Sequence, residues 1–135
     1  MAHEFPLRVY YSDTDAGGIV YHARYLDFAE HARTELLRAV SQDRPGQAQL
    51  ISEHRVAFVV KSISVEYHSP ALLDDELTVV TTLEQAKRFS MVFLQRVMRA
   101  SEELATLKVR VASVNLDTKR PEPFEPWFAE AASLV

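Results

Sequence analysis

The hydrophobic period of this chain changes twice, and the order of the changes limits the folds open to it. Phe5, Leu7, Val9 and Tyr11 alternate with Pro6, Arg8, Tyr10 and Ser12, the two-residue period of a half-buried strand. From Tyr25 the period becomes helical. Tyr25, Phe28, Ala29, Ala32, Leu36 and Val40 form one apolar stripe, with Arg24, Asp27, Glu30, Arg33, Glu35 and Arg38 mostly elsewhere. This predicts one helix of about four turns, stopped before Asp43-Arg44-Pro45-Gly46. Beyond about Val56 the two-residue period returns. Ile63, Val65 and Tyr67 alternate with polar residues until Ser69-Pro70, and strands follow at 77–84, 89–98 and 104–115. Ala100-Ser101-Glu102-Glu103 reads as a hairpin turn between the last two. Pro121, Pro123 and Pro126 keep the tail extended before a short helix over 127–134.

A strand, one long helix and four strands on short connections describe an α+β fold with an antiparallel sheet. The 135 residues suit a single domain, 1–135. Residues 89–94 are apolar on both faces, and one helix covers only one face of a sheet. Either the C-terminal helix or a second subunit must cover the other; the subunit interface is the favoured expectation.

Charge and composition then remove several function classes. A formal net charge of −4, with basic residues only in short groups such as Lys87-Arg88 and Lys119-Arg120, argues against general binding of nucleic acid or anionic membrane. Any anion site is local. The chain has 0 cysteines, which excludes disulfides, thiolate metal sites and a cysteine nucleophile and fits a reducing compartment. Met1 and the five residues after it lack the regions of a signal peptide. No apolar run is long enough to span a bilayer, so a cytoplasmic location is expected.

Chemistry concentrates in Asp13-Thr14-Asp15-Ala16-Gly17-Gly18-Ile19-Val20-Tyr21-His22-Ala23-Arg24-Tyr25. Two carboxylates end a strand, a Gly-Gly turn follows, and a helix begins. A carboxylate facing free helix-start amides can attack or activate water while those amides polarise a carbonyl, which is the equipment for hydrolysing an ester or thioester. Asp15 has a plainer reading as the helix N-cap. Against that, Gly17 and Gly18 are poor first-turn residues, and residues 16–23 include no Ser, Thr, Asp or Asn to cap a later start. Both readings stay open at this point. An Asp-x-Asp phosphatase needs a parallel sheet, and a calcium loop counted from Asp13 wants a carboxylate where Arg24 stands. His22 and His31 fall on different helix faces, and no His-x-x-x-His pair exists, so a metal site is not expected. His22 is either a positioning group or an ordinary first-turn histidine, and Tyr21 and Tyr25 read more readily as core or rim residues.

Those residues, preceded by Tyr10-Tyr11-Ser12 and followed by Arg33-Thr34-Glu35, resemble the hotdog-fold acyl-CoA thioesterases. The similarity is greatest to the branch associated with the bacterial Tol-Pal system, related to 4-hydroxybenzoyl-CoA thioesterase. The resemblance implies a five-stranded antiparallel sheet wrapped around the long helix, assembled as a homodimer or a dimer of dimers (a homotetramer). It implies Asp15 as the catalytic carboxylate, the His22 amide as the group binding the thioester oxygen, and Gly17, Gly18, Tyr21 and Tyr25 around the substrate. Asp13 carries over less securely and is expected to brace the loop. Lys87 and Arg88 match the cations that bind CoA phosphates; their plainer reading is solvated turn charges. The implied reaction releases free acid and CoA without metal or redox cofactor, with short aliphatic acyl groups expected and aromatic ones as runner-up. The same fold also admits a non-catalytic binder of acyl-CoA or acyl carrier protein, or a dehydratase.

Overall fold

A computed structural model describes residues 2–42 and 44–134; Met1, the Asp43 of the expected helix stop and Val135 lie outside them. The strands are β1 (His3–Arg8), β2 (Val56–Tyr67), β3 (Glu76–Ala86), β4 (Ser90–Arg99) and β5 (Glu102–Asn115). They form one five-stranded sheet in the order β1-β3-β4-β5-β2, with every neighbouring pair antiparallel. The helices are α1 (Arg24–Ser41), α2 (Gln47–Ser52) and α3 (Pro126–Leu134).

The alternation of side chains puts one face of the sheet against α1. Leu7 pairs with Leu77, Val79 with Val97, Phe93 with Val109 and Leu107 with Val65, and this row meets the helical stripe of Tyr25, Phe28, Ala29, Ala32, Leu36, Leu37 and Val40. Ala29 and Ala32, both fully buried, leave no bulk between helix and strands. The sheet wraps around α1 in the expected hotdog arrangement. Gln95 interrupts the apolar row. Its Nε2 donates to the Ala29 carbonyl at 2.9 Å and to Thr81 Oγ1 at 3.0 Å, while its Oε1 accepts from Arg33 Nη1 at 3.0 Å. A buried amide with every partner in place pins the helix at one position on the sheet.

Several expectations shift. The alternating pattern overshoots β1: Tyr11 begins a short 3-10 turn over Tyr11–Asp13 and is 82% exposed. α1 has 18 residues, about five turns rather than four. α2 went unread because its apolar residues, Leu50 and Ile51, give no stripe long enough to register. Consecutive strands β2 and β3 do not pair; β2 crosses to β5 and β3 lies against β1. For the apolar run at 89–94, Met91 and Phe93 are buried on the inner face. α3 packs against α1 and β3 on that same face, so it does not cover the outer side, and Val92 and Leu94 stay half-exposed.

The two sheet edges differ. β1 contributes six residues, whereas β2 is twelve residues long and partly uncovered even on its inner face, with Val60 at 47% exposure and Tyr67 at 49%.

Candidate active site

The chain leaves β1, passes the 3-10 turn and makes a hairpin before α1. Thr14 bridges Val20, the Asp15 amide donates to the Ile19 carbonyl at 2.9 Å, and the Gly18 amide donates to the Asp15 carbonyl at 3.0 Å. Gly17 and Gly18 form the tip. Gly18 has φ +82°, a conformation that glycine adopts without strain. A Cβ at Gly17 would stand 3.1 Å from Asp15 Oδ1, so glycine there keeps room for the carboxylate. Oδ1 accepts the Gly17 amide at 2.8 Å, and among the described residues Oδ2 has no protein partner. Asp15 is therefore not the helix cap. α1 begins nine positions later, behind Ala23, which has no side-chain cap.

Asp13 braces the loop, as expected. Its Oδ2 accepts the Tyr10 amide at 2.9 Å, its carbonyl accepts the Tyr21 amide at 2.9 Å, and its Oδ1 lies 3.2 Å from Arg24 Nε as an ion pair without hydrogen-bond alignment. The Arg24 amide donates to the Tyr21 carbonyl at 2.9 Å. The amides of His22 and Ala23, by contrast, have no acceptor among the described residues. Orphan donors at a helix start favour an oxygen from outside.

Asp15 and His22 share a cleft of about 350 Å³, which Tyr25, Tyr67, His68 and Ser69 also line. The Tyr25 phenol accepts the Ala71 amide at 3.1 Å, tying the helix start to the loop after β2. Tyr21 lies outside the lining, its ring 4.4 Å from that of His22. Gly17 and Gly18 shape the loop without facing the cleft. No hydrophobic period marks Tyr67, His68 and Ser69 as site residues, because only the fold of β2 carries them to α1. The single signal for them is the Ser69-Pro70 turn that ends the strand. A more enclosed space of about 110 Å³ between α1, β4 and Phe124, with Arg33 on its wall, contains neither Asp15 nor the free amides.

A second polar cluster holds the wall of the cleft. Arg99 Nη1 donates to Asp75 Oδ2 at 2.7 Å and to the Pro70 carbonyl at 3.3 Å, and Nη2 donates to Glu102 Oε1 at 2.8 Å. Burial opposes ionisation of Asp75, but the Leu72 amide and the Arg99 guanidinium outweigh it and hold the carboxyl below its ordinary range. Arg99 lowers Glu102 in the same way.

Lys87 and Arg88 occupy the turn between β3 and β4, at the opposite end of the sheet from Asp15. The ten steps along β3 from Glu76 to Ala86 correspond to about 33 Å. The structure does not bring these cations to the cleft of their own chain.

Residues 9–132 match the thioesterase-like superfamily. The chain belongs to this family. It is 48% identical over 120 residues to the acyl-CoA thioesterase YbgC of Haemophilus influenzae, covering 89% of this chain and 86% of that protein. The acyl-CoA thioester hydrolase YbgC of Escherichia coli is 45% identical over 119 residues, covering 88% and 85%. Among solved structures, a probable thioesterase from Bartonella henselae superposes with a TM-score of 0.86 at 32% identity, over 93% of this chain and 100% of that one. Membership in the family agrees with the resemblance read from residues 10–25 and with the hotdog fold. No helix among the described residues is long and apolar enough to cross a membrane.

Proposed function

We propose that this protein hydrolyses acyl-CoA thioesters, with Asp15 as the catalytic carboxylate and the helix-start amides as the oxyanion site. The observation that carries the reading is one cleft lined both by Asp15, with a carboxylate oxygen that has no protein partner, and by His22, whose amide has no acceptor among the described residues. A pocket that only bound an acyl thioester would gain little from a negative charge near its carbonyl. The amides receive the thioester oxygen as charge develops on it. Asp15 then either attacks the carbonyl carbon, expelling the CoA thiolate and leaving a mixed anhydride that water opens, or removes a proton from the water that attacks. Oxygen-18 appearing in the Asp15 carboxylate after a single turnover in labelled water identifies the first route.

The working unit in this proposal is a homodimer. The long, half-covered β2 edge is a surface that monomers ordinarily protect. An antiparallel two-fold pairing of two β2 edges reverses one chain against the other. It brings the 87–88 turn of one subunit towards the Asp15 end of its partner, where Lys87 and Arg88 meet the CoA phosphates. Short aliphatic acyl groups are the substrates proposed for this cleft, whose lining includes Val20, Tyr25 and Tyr67.

Asp15→Asn keeps the shape and removes the charge. Thiol release from a panel of acyl-CoAs should fall at least about 100-fold in kcat; near-normal turnover would end the assignment.

A further inference from the structure

Tyr67 ends β2 and stands in the wall of the cleft. Its phenol donates to the His22 carbonyl oxygen at 2.7 Å, and its ring meets Tyr25 edge-on, with centroids 5.3 Å apart. All peptide bonds here are trans, so each amide N–H points away from the carbonyl of its own peptide unit. The two free N–H groups at the helix start therefore each have a carbonyl on the far side. For the His22 amide it is the Tyr21 oxygen, held by the Arg24 amide at 2.9 Å. For the Ala23 amide it is the His22 oxygen, held by Tyr67. A donor on the peptide oxygen fixes the plane of the group and draws charge across it, which makes the opposite N–H a stronger donor.

We propose that Tyr67 is a positioning residue of this site: its phenol holds the 22–23 peptide in place and so sets the aim of the adjoining His22 amide, the group lining the cleft that would bind the thioester oxygen. The inference rests on the thioesterase reading of the Asp15 cleft. Burial first, and neighbouring Tyr25 second, push the Tyr67 phenol above its ordinary pKa, so it stays a donor wherever a carboxylate is ionised. Its proton is committed to the His22 carbonyl rather than to a leaving sulfur. Because Tyr67 is the last residue of the edge strand, this contact also makes the aim of the amide depend on the seating of β2.

The test is Tyr67→Phe in the full chain, assayed by thiol release from butyryl-CoA across pH, beside Asp15→Asn. The variant keeps the ring and loses only the hydroxyl. Positioning gives a kcat lower by about 10- to 100-fold with KM within about twofold, an unchanged melting temperature and a pH profile of the same shape. An unchanged kcat overturns the inference. So does a rise in KM alone, the mark of a substrate ligand, or loss of the basic limb of the pH profile, the mark of a proton donor. Failure to fold overturns it as well, since the phenol would then hold up the fold rather than aim the turn. Full activity in Asp15→Asn sinks the parent reading whatever Tyr67 does. An inactive Asp15→Asn beside a fully active Tyr67→Phe sinks this one alone.

Discussion

At one end of the sheet, Asp15 and His22, with its unpartnered amide, line a cleft whose lining contains no lysine or arginine. At the other, Lys87 and Arg88 ride a turn where the Arg88 guanidinium lies 5.2 Å from the centre of the Phe89 ring. The first end is held by backbone hydrogen bonds, and residues 15–19 are all exposed. The second is backed by Phe58, Phe124 and Phe128, with ring centroids 5.4 to 6.2 Å apart. The carboxylate end suits a reacting carbonyl and the cationic end suits phosphate, but one chain holds them a full strand apart. In the proposed homodimer, a ligand carrying both groups is held by two chains.

Breaking the β2 edge puts that comparison under the greatest strain. Val60→Lys places a charge on the exposed inner side of the edge. It should give monomers by size-exclusion chromatography and a loss of thiol release of about 100-fold or more, with Asp15 untouched. A fully active monomer would show that one chain is enough.

Changing Lys87 and Arg88 together to Ala should raise KM for the CoA ester by about tenfold, as expected for two phosphate contacts of roughly 0.7 kcal/mol each, and leave a truncated thioester unaffected. Mixing this double variant with Asp15→Asn separates the two geometries. If cations act across the interface, a heterodimer regains one intact site, so an equal mixture recovers about a quarter of the wild-type sites. If they act within their own chain, mixing restores nothing.

The smallest effect concerns the brace at the carboxylate end. Asp75 and Glu102 titrate below the ordinary carboxylate range in the folded chain. Their contribution is therefore complete at and above the unfolded value of about 4 and lost as pH falls towards the depressed folded value. Arg99→Met removes the shared partner and should move the acid-unfolding midpoint to higher pH, followed by circular dichroism. An unchanged midpoint would leave the cleft wall independent of this cluster.

The local half of the molecule was legible in the sequence and the long-range half was not. Period changes located α1 and β2 to β5 because side-chain burial alternates within each element. Asp15, His22 and Tyr25 were found together because one loop and one helix turn carry all three. Tyr67, His68 and Ser69 reach the site only through the crossing of β2 to β5, which no local pattern encodes. Lys87 and Arg88 were grouped with Asp15 by resemblance, and the antiparallel course of β3 sets them at the far end. Tyr11 misled for a different reason: it continues an alternation whose strand has already ended at Arg8.

Gln95 has a consequence beyond its own burial. Its amide is bonded to Thr81 of β3 and to Ala29 and Arg33 of α1, so a slide of α1 by a single residue, about 1.5 Å, breaks both bonds to the helix at once. A substitution deep under the helix, such as Gln95→Leu, therefore bears on where the mouth of the molecule opens. The fit of a substrate at the surface is governed in part by a side chain that no solvent molecule touches.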